Sequence, residues 1–142
     1  MESKLNTKAS LGIGFGIIVA VLIQQILIPK VFSPSFDSQL MKLSSEINKN
    51  CPFMIDSETR LDNTFGGAGK SIAYNYTLIN LLKSDIDIDY FESLMKPQIL
   101  NNIKTNPDLK LFRDNDVSFI YNYNDKSSAR VTTIKFTPND YK

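Results

Sequence analysis

The sequence contains no histidine and only one cysteine. Without histidine, the chain lacks the commonest general base, the commonest zinc ligand and any nucleophile that an imidazole activates. The single cysteine, Cys51, excludes a disulfide within the chain and identifies no redox compartment. Beside Pro52 and near a predicted strand, Cys51 fits a small buried residue better than a nucleophile. We therefore predict that the protein is not an enzyme.

An excess of one charge is also missing. Residues 33–142 carry 13 Lys and Arg against 14 Asp and Glu. A balance this close to neutrality provides no summed field that would steer the chain onto nucleic acid or an anionic membrane. We predict no nucleic-acid binding.

One segment has no charge at all. From Ala9 to Pro29 the chain runs for 21 uncharged residues, which at helical rise can cross a bilayer. Lys4 and Lys8 precede it, so the N-terminus is expected in the cytoplasm. We predict that residues 1–32 form a cytoplasmic stub and a single-pass anchor, residues 9–29, in a bacterial inner membrane. Residues 33–142 would then form a periplasmic domain.

A cleaved signal peptide is the alternative for the same segment. It would leave a soluble periplasmic or secreted protein. No Ala-x-Ala cleavage site follows the apolar run, which favours the retained anchor. Gly12 and Gly16 form a Gly-x-x-x-Gly pattern, which is compatible with a weak homodimer of anchors.

The longest alternating stretch lies at residues 71–82. One side of it is large and apolar, with Ile72, Tyr74, Tyr76 and Leu78. The other side is small or polar, with Ala73, Asn75 and Thr77. This is the period of a strand with one buried side, and we predict that it is the central strand of a sheet.

The remaining periodicities place helices and strands around that strand. Apolar residues at helical steps predict a first helix through Phe36, Leu40, Leu43 and Ile47, and a second through Phe91, Leu94, Met95, Ile99 and Ile103. Strand patterns cover Phe53–Asp56 with Thr59–Phe65, which form one strand or a broken strand, and then Val117–Tyr123 and Arg130–Thr137. The glycines at 66, 67 and 69 predict a hairpin turn. The fold class is α+β in the order α-β-β-α-β-β. We expect a mainly antiparallel four-stranded sheet with both helices on one face.

Four tyrosines form the most suggestive set of side chains: Tyr74, Tyr76, Tyr121 and Tyr123. A sheet face that carries several tyrosines can be a protein-binding surface, because tyrosine offers a large contact area with a polar tip. The same alternation is typical of a core strand under two helices, and that interpretation is favoured.

Three acidic residues form a second cluster: Asp56, Glu58 and Asp62. Paired carboxylates can act as acid and base where their environments separate their pKa values. Carboxylates beside an exposed turn are more often simply solvated. A carboxylate-dependent hydrolase is therefore kept as the alternative function.

Two further patterns fail as ligand sites. The segment Gly66–Ser71 resembles a phosphate-binding loop, but the first glycine of that motif is replaced by Thr64. The alternating acids Asp85, Asp87 and Asp89 lack the glycine and glutamate of a calcium loop. We predict no cofactor and no metal site.

Two stretches in the middle of the chain carry a resemblance. Residues 52–62 read Pro-Phe-Met-Ile-Asp-Ser-Glu-Thr-Arg-Leu-Asp, and residues 66–80 read Gly-Gly-Ala-Gly-Lys-Ser-Ile-Ala-Tyr-Asn-Tyr-Thr-Leu-Ile-Asn. Together they resemble a family of small, uncharacterised bacterial proteins with an N-terminal membrane segment. The resemblance implies a location in the bacterial envelope and implies no catalytic residue.

The expected function is a non-enzymatic interaction module whose partner is a protein reached at the membrane surface. One version is an immunity or inhibitor protein that occludes a toxin or hydrolase in the periplasm. Another is an accessory subunit of an envelope complex.

Overall fold

The computed structural model describes residues 35–142. Its helices and strands are α1 (Phe36–Asn48), β1 (Phe53–Met54), β2 (Thr59–Gly67), β3 (Ser71–Leu78), α2 (Ile88–Thr105), α3 (Lys110–Asp114), β4 (Ser118–Asp125), β5 (Arg130–Phe136) and α4 (Pro138–Tyr141). Short 3₁₀ turns at Lys83–Asp85 and Pro107–Leu109 flank α2.

The five strands form one mixed sheet in the order β1-β2-β3-β4-β5. The predicted central strand, β3, is confirmed in that position. Neighbouring strands pair antiparallel except β3 and β4, which run parallel. The α+β class and the mainly antiparallel pairing are therefore confirmed, since three of the four strand pairs are antiparallel, whereas two details of the sheet need correction.

The first correction is the extra strand. Phe53 and Met54 pair with Leu61 and Arg60 as a separate short strand, because the chain turns back on itself between β1 and β2. The second correction is the parallel pair. The chain between β3 and β4 passes through α2 and returns to the starting end of β3, where Ser118 pairs with Ser71. A crossover of this kind is what parallel neighbours require.

Both long helices pack on the same face of the sheet, as predicted. The buried side chains of α1 are Leu40, Leu43, Ser44 and Ile47, and those of α2 are Phe91, Met95, Ile99 and Ile103. On the sheet, Ile72, Tyr74, Tyr76 and Leu78 of β3 are buried with Phe119, Tyr121 and Tyr123 of β4. The rings of Phe91 and Tyr123 meet in a T-shaped arrangement with centroids 5.0 Å apart. The core therefore lies between the helices and this one face.

Helix α1 covers the outer edge of β2 beyond the end of β1. The Asn48 side chain accepts a hydrogen bond from the Thr64 backbone N–H at 2.7 Å and donates one to the Thr64 carbonyl at 2.9 Å. A side chain thus replaces a neighbouring strand, which protects an edge that would otherwise expose unpaired backbone groups.

The start of α1 is fastened to the turn between β2 and β3. The Asp37 carboxylate accepts hydrogen bonds from the backbone N–H groups of Gly69 at 3.3 Å and Lys70 at 2.9 Å. Gly69 has a φ of +75°, which glycine adopts without steric cost. The described chain therefore begins beside the β2–β3 hairpin.

The predicted anchor, residues 9–29, lies outside the described residues, as do Gly12 and Gly16. Within residues 35–142, no helix combines the length and the apolar character needed to cross a membrane. The division into residues 1–32 and 33–142 stays a prediction.

We predict that Gly66→Ala lowers the free energy of unfolding by about 1–3 kcal/mol, the usual cost of overpacking. A Cβ atom at Gly66 would lie 2.2 Å from the Leu40 carbonyl oxygen, so α1 would have to move away from β2. Gly67→Ala is the matched control, because the nearest contact of its Cβ would be the Phe65 ring at 3.4 Å. Urea denaturation measures both, and equal effects of the two substitutions would contradict the close approach of α1.

Candidate functional site

The four tyrosines lie on the face that the helices cover. Their exposed fractions are between 0% and 5%. The parallel register places Tyr74 beside Tyr121 and Tyr76 beside Tyr123. Each pair stacks with ring centroids 5.3 Å apart. The tyrosines therefore form a four-ring layer under the helices, and in this structure they offer no surface to a partner.

Burial also sets the ionisation of these phenols. It raises the pKa of all four hydroxyl groups above the ordinary value for tyrosine, so they stay neutral at physiological pH. The Tyr74 hydroxyl is buried and has no hydrogen-bond partner among residues 35–142. Tyr141 differs, because its hydroxyl donates to the Val117 carbonyl at 2.7 Å.

The three predicted acidic residues perform three separate structural tasks. Asp56 accepts hydrogen bonds from the backbone N–H groups of Glu58 at 2.8 Å and Thr59 at 2.7 Å, which holds the turn between β1 and β2. Glu58 accepts from the Asn80 amide at 2.8 Å. Asp62 accepts from Arg60 and from the Thr77 hydroxyl, both at 2.5 Å. The three carboxylates therefore stabilise a turn, a loop contact and a cross-strand contact.

The other two patterns lie in ordinary structural elements, and the segment Gly66–Ser71 spans the end of β2, the hairpin turn and the start of β3. In residues 35–142, no group of three or more Cys, Asp or Glu side chains is placed to hold a metal ion. Asp87 caps α2 by accepting from the Tyr90 backbone N–H at 3.0 Å. Cys51 is half-buried, and burial, with a smaller contribution from the nearby Asp62 charge, raises the pKa of its thiol.

No helix of residues 35–142 covers the second face of the sheet, and we call it the open face. Its side chains alternate with the buried ones along each strand. From β1 to β5 they are Met54, Arg60, Asp62, Asn63, Phe65, Ala73, Asn75, Thr77, Ile120, Asn122, Asn124, Arg130, Thr133 and Lys135. This face is the candidate functional site.

A ladder of amides crosses the open face. The Asn122 amide nitrogen donates to Asn75 Oδ1 at 2.9 Å, and the Asn75 nitrogen donates to Asn63 Oδ1 at 2.7 Å. At the β5 end, Thr133 and Arg130 donate to Asn122 Oδ1. The ladder joins four neighbouring strands, and chains of aligned hydrogen bonds strengthen one another. The polar groups are therefore held in fixed positions.

An apolar row lies next to the ladder. The strand register places Phe65, Ala73 and Ile120 side by side, with Lys135 at the β5 end. Phe65 is 72% exposed, more than the other large hydrophobic side chains of residues 35–142. A phenylalanine that points into water from a strand is a recognised mark of an interaction surface when it adjoins other apolar groups.

Asp125 builds the turn that delivers Arg130 to the open face. Its carboxylate accepts hydrogen bonds from Ser127 Oγ at 2.7 Å and from the backbone N–H groups of Ser127, Ala129 and Lys83 at 2.8–2.9 Å. The Ser127 hydroxyl, followed by the backbone donors, lowers the Asp125 pKa to about 2 from an ordinary value of 3.8. The carboxylate is thus held in its charged form.

Sequence reasoning overlooked the open face as a site. A signal for it exists, because the tripeptide Tyr-Asn-Tyr occurs at residues 74–76 and again at residues 121–123. Parallel in-register pairing sets the two copies side by side, with tyrosines on one face and asparagines on the other. The repeated tripeptide by itself indicates that the two strands are neighbours with like residues side by side. That they run parallel depends on the path of α2 between them.

The comparisons with known proteins agree with this fold. The model of the family described as "Domain of unknown function (DUF8479)" matches residues 35–133. No curated protein matches the sequence.

Three solved structures share the fold. A candidate secreted protein of Pseudomonas aeruginosa is 13% identical with a TM-score of 0.59, over 78% of this chain and 100% of the other. The pilotin of the type 2 secretion system of Vibrio vulnificus is 4% identical with a TM-score of 0.59, over 75% and 91%. A type II secretion pilotin of Vibrio cholerae is 8% identical with a TM-score of 0.52, over 73% and 90%. At these identities the likeness concerns the fold alone.

The tyrosine layer generates one prediction. Tyr74→Phe should raise the free energy of unfolding by about 1 kcal/mol, because it removes a buried hydroxyl without a partner. Tyr141→Phe should lower it by about 1 kcal/mol, because it removes a hydroxyl that is hydrogen-bonded. Chemical denaturation of the two variants tests the difference, and a loss of stability in Tyr74→Phe would contradict it.

Asp125 generates a pH prediction. Because folding lowers its pKa, the carboxylate stabilises the fold above about pH 4, and this contribution is lost as the pH falls towards 2. Asp125→Asn should therefore be less stable than the wild type at neutral pH, and the gap should narrow between pH 4 and pH 2. Denaturation at a series of pH values measures the gap. A gap that stays constant down to the lowest pH at which both proteins fold would refute the assignment.

Proposed function

This chain belongs to the DUF8479 family, and we propose that it is a protein-interaction module of the bacterial envelope that binds its partner through the open face. The observation that carries the proposal is the exposed Phe65 ring beside the amide ladder, on a sheet face that the described helices leave uncovered. An aromatic anchor next to fixed polar groups is the usual composition of a binding hot spot.

The names of the fold neighbours support an extracytoplasmic role. One neighbour is a candidate secreted protein and two are pilotins of type II secretion systems. We propose on this basis that an accessory subunit of an envelope complex is the leading version of the function. An immunity or inhibitor protein is the second version, since it would use the same open face.

For the location, we propose the single-pass anchor at residues 9–29, with the described domain in the periplasm. The described chain begins at Ser35, beside the β2–β3 hairpin. Phe65 lies on β2 two residues before the end of that strand. An anchor that enters here would place the Phe65 end of the open face nearest to the membrane. The cleaved signal stays the alternative.

We assign no catalytic role to Asp56, Glu58 or Asp62. Each carboxylate is engaged in its own hydrogen bonds, and the three do not meet at a common point. That the protein is not an enzyme stays a prediction.

The open face is tested by photo-crosslinking in the cells that make the protein. A photoreactive phenylalanine analogue at position 65 should give a discrete adduct with one protein. The matched control is position 41, where Met41 is 58% exposed on α1. For the partner identified in the adduct, Phe65→Ala should weaken binding by about tenfold or more, as expected of a hot spot, while Met41→Ala should not.

The proposal fails if position 65 gives no adduct, or if positions 65 and 41 give the same adduct. Thermal unfolding of Phe65→Ala serves as the check on folding. Because most of the Phe65 ring is already in water, the variant should keep the stability of the wild type.

A further inference from the structure

Arg130 is held in place on the open face by three acceptors. Its Nε–H donates to Asn124 Oδ1 at 2.8 Å, and Nη1 donates to Thr133 Oγ1 at 2.9 Å and to Asn122 Oδ1. These bonds use the donors on Nε and Nη1. The Nη2 amino group has no acceptor among residues 35–142. The result is a positioned cation whose two Nη2 N–H donors make no hydrogen bond within residues 35–142.

The charges around Arg130 are not balanced on the open face. Arg60 has its own acid in Asp62. Arg130 and Lys135, by contrast, form no ion pair with any acid in the part of the chain that the structure describes. On the open face, Arg60, Arg130 and Lys135 stand with one carboxylate, that of Asp62, so this face carries an excess of two positive charges. An acidic partner would supply the missing charge.

The amide ladder extends this cationic end across the sheet. Each amide nitrogen donates to the next oxygen, from Asn122 through Asn75 to Asn63. Four strands at the usual spacing span about 14 Å, the reach of roughly four to five extended residues. The ladder therefore matches a short extended segment with polar side chains.

From these contacts we infer that the open face binds an acidic protein segment, laid across the strands, whose carboxylates pair with Arg130 and Lys135. The inference rests on the proposed function and names the chemistry of its partner. Arg130 receives a carboxylate end-on through Nη2, while Lys135 contributes a second, more mobile charge from the neighbouring row. The partner's remaining polar groups lie along the ladder.

The test uses the full chain in detergent micelles, labelled with ¹⁵N. The probes are two capped seven-residue peptides, one alternating Thr with Glu and the other alternating Thr with Gln. The Glu peptide should shift the side-chain amide signals of Asn75 and Asn122 and the Arg130 Nε–H signal in a saturable way. The Gln peptide should not, and added salt should weaken the effect because it screens exposed charges.

Variants identify the cations that matter. The double variant Arg130→Gln, Lys135→Gln should bind the Glu peptide about tenfold more weakly or worse, which is the effect expected when charge-assisted contacts are lost. Lys104→Gln is the matched control, because Lys104 is an exposed cation on α2, away from the open face. The single variant Lys135→Gln controls for a folding defect, because Lys135 forms none of the ladder's hydrogen bonds. It should weaken binding of the Glu peptide to a lesser degree than the double variant.

Three results would overturn the inference. They are the absence of a saturable shift, equal shifts from both peptides, and an equal loss in Lys104→Gln. These results leave the proposed function of the open face untouched, because that function is tested by the crosslinking experiment. If position 65 crosslinks to its partner with unchanged affinity in the double variant, the open face binds a partner but not through these cations, and only the acidic segment is wrong.

Discussion

The in-register parallel pairing of β3 with β4 is the constraint on which both faces of the sheet depend. It stacks Tyr74 on Tyr121 on one side and sets Asn75 beside Asn122 on the other. Because side chains alternate along a strand, a slip of one residue would move every tyrosine opposite a polar neighbour. The same register therefore builds the core and the candidate binding surface.

The two faces differ in what they need from the rest of the chain. The tyrosine layer presents a large apolar area that must be covered, and α1 and α2 cover it. The amides of the open face satisfy one another across the strands, so this face can stay in water without burying unpaired polar groups. Phe65 is exposed on this face beside Ala73 and Ile120, and a bound partner would bury this apolar row.

The sequence predicted the individual helices and strands well and the pairing between strands poorly. Periodicity identified the α1 stripe, the central strand and the glycine hairpin, because each depends on residues close in the chain. It left open whether Phe53–Phe65 is one strand or a broken one, and it did not reveal the parallel direction of β4, because both depend on where the chain returns. The tyrosines and asparagines were correctly assigned to opposite sides of β3. The helices cover the tyrosine side, where α1 packs against Gly66 and Phe91 of α2 packs against Tyr123. The asparagine side is therefore the exposed one.

Hydroxyl-radical footprinting tests most directly whether the open face is the binding surface. The protein is oxidised in intact cells and again after purification, and the two patterns are compared. Binding at the open face should protect Phe65 in cells, while Met41 and Leu111, which are 58% and 46% exposed on α1 and α3, should be oxidised equally in both preparations. Equal oxidation of Phe65 in both preparations, or protection of Met41 instead, would contradict binding at this face.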